Sequence, residues 1–208
     1  MKVIKVIDIV TKDDQETFDI EELVGTEAPF AYHINYGCIG HAKFIIDKNS
    51  IDAFANNLSK IEDSYHRAHL YNLMFDMLKE GDMSGSQLLK ICKSQLVGET
   101  QTNVLTDVLK SIIPVVIADF MPIELYEQSH KDMFELFLGI LASGNITHKV
   151  TRELILEAIL ISAKDEGHIE QLINWFKTGF VHDLQGNNLN IEIPLQSKHK
   201  IMIKIWSS

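Results

Sequence analysis

The spacing of hydrophobic positions changes once along the chain, near residue 47. Before that point the period is that of strands. Lys2 to Val10 is rich in Val and Ile, Phe18 and Ile20 alternate with Thr17, Asp19 and Glu21, and Phe30 to Tyr36 and His41 to Ile46 follow around Gly37 and Gly40. Alternating β-branched and aromatic residues suit a pleated, half-buried surface. The pattern predicts a small antiparallel β module over residues 1–47, with too few strands to cover both faces of a sheet.

From residue 48 the period is helical. Ser50 is the expected N-cap of a short helix presenting Phe54 and Leu58, and Ser59-Lys60-Ile61-Glu62 has the form of a capping box. The next helix carries Ala68, Tyr71, Leu73, Met74, Phe75, Met77 and Leu78 and stops at Gly81; Ser84 opens another that ends before Gly98. Leu105 to Ala118, Met133 to Leu141 after Pro122, Thr151 to Ala163, and Ile169 to Phe176 behind Asp165 continue the series, with Gly144 and Gly179 as stops. The last segment, Ile193 to Trp206, is ambiguous, because Ile201, Ile203 and Ile205 alternate as in a strand. Helices of this length joined by short loops lie antiparallel to their neighbours. The expected fold is therefore mostly α: an irregular superhelical, solenoid-like array over residues 48–208, preceded by the β module.

Composition adds bounds rather than detail. A hydrophobic fraction of 46% with 23% charged residues is that of a folded globular chain. The net charge of -10 disfavours a phosphate backbone as partner, so no nucleic acid is expected; the basic tail of Lys198, His199, Lys200 and Lys204 is too small to reverse that. Cys38 and Cys92 form neither a disulfide framework nor a C-x-x-C pair, no stretch has the length of a membrane span, and the N-terminal residues make a poor secretory signal. A cytoplasmic protein is expected, with the sequons at Asn57 and Asn145 read as chance.

The chain lacks H-E-x-x-H, the P-loop, G-x-G-x-x-G and G-x-S-x-G. His66 and His69 share a helix face at i, i+3, but zinc needs three or four ligands and no third is identifiable. Asp13-Asp14, Glu21-Glu22 and Glu62-Asp63 read as hydrated acids, and the Met74, Phe75, Met77 and Met83 stripe reads as core. No catalytic residue, metal ligand or cofactor is expected.

One stretch resembles a known family. His33-Ile34-Asn35-Tyr36-Gly37-Cys38-Ile39-Gly40-His41-Ala42-Lys43-Phe44-Ile45-Ile46-Asp47, followed by Ser50, looks like the join between the β-sandwich and the terminal helical domain of aminopeptidase N-type zinc metallopeptidases. Ile61 to Tyr71, with Arg67-Ala68-His69-Leu70, and then Phe75-Asp76-Met77 and Gly81, resemble the first hairpin of that helical domain. The resemblance implies part of a β-sandwich over residues 1–47 and part of a superhelical bowl beyond. In that family the bowl covers an active site whose zinc ligands lie in an earlier domain, and zinc is expected only there. The expectation is a non-catalytic structural or interaction protein acting as scaffold or accessory subunit. The alternative is the C-terminal part of a working aminopeptidase, covering a separate catalytic domain.

Two residue-level expectations follow. Arg67, in a core-like neighbourhood, should be partly buried and paired with a carboxylate, Asp63 or Asp76. If the last segment is a helix, Ile201 and Ile205 share one face and Met202 and Trp206 an adjoining one, and these four should contact a protein partner or a second copy.

Overall fold

The computed structural model describes residues 3–10, 17, 19–40 and 42–207. Expectations for Lys2, Asp13, Asp14, Phe18 and His41 lie outside them. Among the described residues the chain is mostly helical with one small antiparallel sheet. The helices are α1 (Lys48–Asn57), α2 (Ser64–Lys79), α3 (Gly85–Gln95), α4 (Thr102–Thr106), α5 (Ile113–Asp119), α6 (Tyr126–Ala142), α7 (Lys149–Ser162), α8 (Glu166–Thr178) and α9 (Leu195–Trp206).

The sheet is not where the strand-like pattern placed it. Among the described residues of 1–47 there is no strand, and the sheet consists of β1 (Phe180–His182) and β2 (Asn188–Glu192), paired antiparallel with His182 opposite Asn188. The apolar residues near the N-terminus are instead exposed, Ile4 and Val10 by 84% and 86%. Strand propensity records a fit to a sheet surface, and the described part of this chain supplies no such surface for them. The β1–β2 turn is built locally: the Asp183 carboxylate accepts from the backbone N–H groups of Gln185 and Asn187 at 3.0 and 2.8 Å. The hairpin is tied to α8 by the Trp175 indole N–H, which donates to the His182 carbonyl at 3.1 Å.

Helix termini follow the expected chemistry at Ser84, Asp165, Gly81, Gly144 and Gly179. Two caps differ. Asp47, not Ser50, caps α1 by accepting from the Ser50 N–H, and Asp63, not Ser59, caps α2 by accepting from the Tyr65 N–H. A carboxylate favours a helix N-terminus more than a hydroxyl does, because it adds a charge opposite to the helix dipole. Ser59 instead meets the Gln95 side-chain oxygen through both its N–H and its hydroxyl.

Residues 102–119 form one rod with a π-helical stretch, Asp107–Ile112, between α4 and α5. Pro114 accounts for it: in α geometry its ring would meet the carbonyl four residues back, and a wider turn removes that clash. If the rod is taken as a single helix, the principal helix contacts are all with the next neighbour or the next but one: α1 with α3, α2 with α3 and the rod, the rod with α6 and α7, α6 with α7, and α7 and α8 with α9. That is the contact pattern of stacked helical hairpins. The core runs through the stack, with Phe54, Leu70, Tyr71, Met74, Leu88, Leu105, Phe134, Phe137 and Trp175 all buried.

Candidate functional site

Arg67 is buried, as expected, but its partner is Glu99 rather than Asp63 or Asp76. The guanidinium donates from Nε to Glu99 Oε2 at 2.7 Å and from Nη2 to Oε1 at 2.9 Å, while Nη1 reaches the carbonyls of Ile61 and Glu62 at 2.7 and 3.0 Å. Glu99 Oε1 also accepts from the N–H groups of Thr100 and Gln101 at the start of α4. Asp63 is occupied as the cap of α2, and Asp76 pairs with Lys79 at 2.6 Å. The Arg67–Glu99 pair therefore joins α2 to the loop before α4 and satisfies two otherwise orphaned N–H groups. No local spacing rule points to Glu99, which lies far along the chain from Arg67.

The C-terminal segment is a helix, and its two predicted apolar faces have different fates. Ile201 is 1% exposed and belongs to the core, which leaves it unavailable to a partner, and Ile205 packs against that core half-buried. Met202 and Trp206 point outward, joined by Leu195 and Ile203; Trp206 is 86% exposed, Leu195 72% and Ile203 66%. With the exposed His199 they follow the i, i+4, i+7, i+8, i+11 spacing of one helix face. Lys200 on the flank is engaged by Glu157 of α7, and Lys204 is half-buried. The outer face of α9 thus offers apolar area, with the half-exposed Lys198 on its other flank.

A second constellation joins the segment before α1 to α2. The His33 Nε2 and His69 Nδ1 atoms lie 2.8 Å apart in a hydrogen bond, with the two rings stacked. His66 stands edge-on to His33 at 5.3 Å and stacks on Tyr36 at 3.9 Å. Burial, then the charges of His69 and His66, push His33 down to about 4; burial, then His66, lowers His69, against the pull of Asp76. The i, i+3 spacing of His66 and His69 shows two of the three histidines of this cluster; His33 is not legible because only the tertiary fold brings it there. The backbone around it is special, with Asn35 and Cys38 in the left-handed region at φ 55 and the Asn35 side chain bridging Gly40 N–H and carbonyl. Among the described residues, no group of three or more His, Cys, Asp or Glu is arranged to hold a metal ion.

An open groove of about 440 Å³ lies between α3 and the start of α6, lined by Leu89, Met121, Leu125 and Met133 and crossed by the Lys93–Asp132 ion pair at 2.6 Å. Burial would raise Asp132, but hydrogen bonds from Lys93 and Gln128 hold its carboxyl below the ordinary range. A carboxylate so held is a poor proton donor or acceptor near neutrality. Among the described residues, no helix is long and apolar enough to cross a membrane. Compared with protein families, curated proteins and solved structures, the chain matches none.

Proposed function

We propose that this chain is a non-catalytic interaction protein, a helical scaffold or accessory subunit that binds a partner chain through the outer face of α9. The observation that carries the reading is that α9 is apolar on two sides: Ile201 inward in the core, and Leu195, Met202, Ile203 and Trp206 outward. A helix needs one apolar face to hold its place in a fold, so a second one invites another surface. The spacing is that of a helix laid in an apolar groove, and since Lys200 is engaged within the chain, recognition rests on shape and apolar area rather than charge. The occupant is the apolar groove of a different protein; self-pairing would bring together two copies that each carry -10. Descent from the C-terminal region of a zinc aminopeptidase, and a cytoplasmic setting, belong to the same proposal and rest on the sequence alone.

The test compares the chain with a Met202→Glu, Ile203→Glu, Trp206→Glu variant. The wild type should bind a hydrophobic dye and retain a partner through purification from native extract, and the variant should lose both with little change in melting temperature. Equal behaviour of the two proteins would remove the proposal. Self-association of the wild type, abolished in the variant, would replace the partner with a second copy.

A further inference from the structure

The cluster of His33, His66 and His69 is remote from α9 in the chain and has no part in the reading above. Its geometry has a consequence of its own. A contact of 2.8 Å between two imidazole nitrogens requires one N–H and one lone pair, so at least one ring must be neutral. A first proton can sit on an outer nitrogen and leaves the contact a charge-assisted hydrogen bond; only when both rings are protonated do two N–H groups oppose each other, and the attraction becomes repulsion between cations.

The surroundings decide where that proton goes. His33 belongs to the segment before α1 and packs against Phe54 of α1, Tyr36 of its own segment, and His66 and His69 of α2. The anions lie on the α2 side: Asp63 Oδ2 is 3.8 Å from His66 Nε2, and Asp76 favours the charged form of His69. Asp47, the α1 cap, is engaged by Ser50, and the Arg67 guanidinium on α2 is turned to Glu99. Tyr65 contributes a ring edge 5.8 Å from His66. His69 thus has an anion beside it, whereas no anion among the described residues acts on His33, and the contact turns repulsive when acid has charged both rings.

We propose that the His33–His69 contact, with the His66 ring packed beside it, is an acid-released latch, which holds residues 30–40 against α1 and α2 while at least one of the two rings is neutral and lets them go when both are protonated. The other anchors of the same segment are neutral: the Tyr32 N–H donates to the Ser50 hydroxyl at 2.8 Å, Ala31 packs against the core, and Cys38 is hydrogen-bonded to Tyr65 of α2. Release uncovers the His66 ring that Tyr36 covers. The helical stack keeps its own core, because Phe54, Leu70 and Met74 are buried among helices rather than by the latch alone.

The experiment is hydrogen exchange with mass spectrometry on the full chain, corrected for intrinsic rates, at about pH 7 and about pH 4.5. Residues 30–40 should lose protection at least about tenfold on acidification, while α3, which contains no histidine, keeps its own. In His33→Phe, which preserves an aromatic ring, and in His69→Gln, which keeps a neutral hydrogen-bonding group, the acid response of residues 30–40 should vanish. The latch is refuted by unchanged protection in the wild type, by loss from residues 30–40 and α3 together, or by an undiminished response in either variant.

Discussion

Arg67 holds a full positive charge below the surface and meets it with one carboxylate and two carbonyls. Removing one partner of such a pair is costly because the other is stranded in a poorly solvated site. Arg67→Ala should cost about 3–5 kcal/mol in urea unfolding, and an unchanged midpoint would contradict this. The residue's role was legible in sequence, since a lone Arg among Ala68, Leu70 and Tyr71 must be paired. Its partner was not, because Glu99 is chosen by how α4 folds back over α2. The buried histidines make a second prediction. His33 and His130 are both pushed down to about 4, chiefly by burial, and His69 and His168 are also lowered. A histidine whose folded pKa lies below its unfolded value adds stability above about pH 6.5 and loses it as pH falls. The urea midpoint should therefore drop as pH falls from about 6.5 toward 4, and His130→Phe should flatten that slope. A midpoint constant across this window would show that these rings are not held neutral.

Individual elements were read well where the signal was local. Caps at Ser84 and Asp165, stops at Gly81, Gly144 and Gly179, and the buried Met74, Met77 and Met83 all follow from chemistry within a turn or two. Reading failed where an element depends on something distant. The residues 3–10 are strand-like but lack a sheet among the described residues, whereas the short β1–β2 hairpin, weak by pattern, is held by Asp183 and Trp175. Gly85 is another position fixed by a distant neighbour. A Cβ built there would lie 2.6 Å from the Phe120 carbonyl oxygen, so the start of α3 and the end of α5 approach only because this side chain is missing. Gly85→Ala should destabilise by about 1–3 kcal/mol despite the better helix former, and a stabilised variant would show that the approach is loose.

Among the described residues the helices form an array packed on the next neighbour or the next but one, and α9 leaves its outer face apolar. The helical architecture was accessible from hydrophobic period and loop length. Which of the two α9 faces turns outward was not, because Ile201 and Ile205 are drawn inward only by α7 and α8. Purified chain should hold no stoichiometric zinc and cleave no aminoacyl reporter; about one zinc per chain, lost on mutating His66 or His69, would overturn that expectation. The central claim is that the outer face of α9 is a binding surface, and the most direct measurement is photo-crosslinking from a photoreactive amino acid placed at Trp206 in native extract. One dominant cross-linked partner should appear and should be lost when Met202 and Ile203 are changed to Glu. Diffuse labelling that is indifferent to those changes would contradict it.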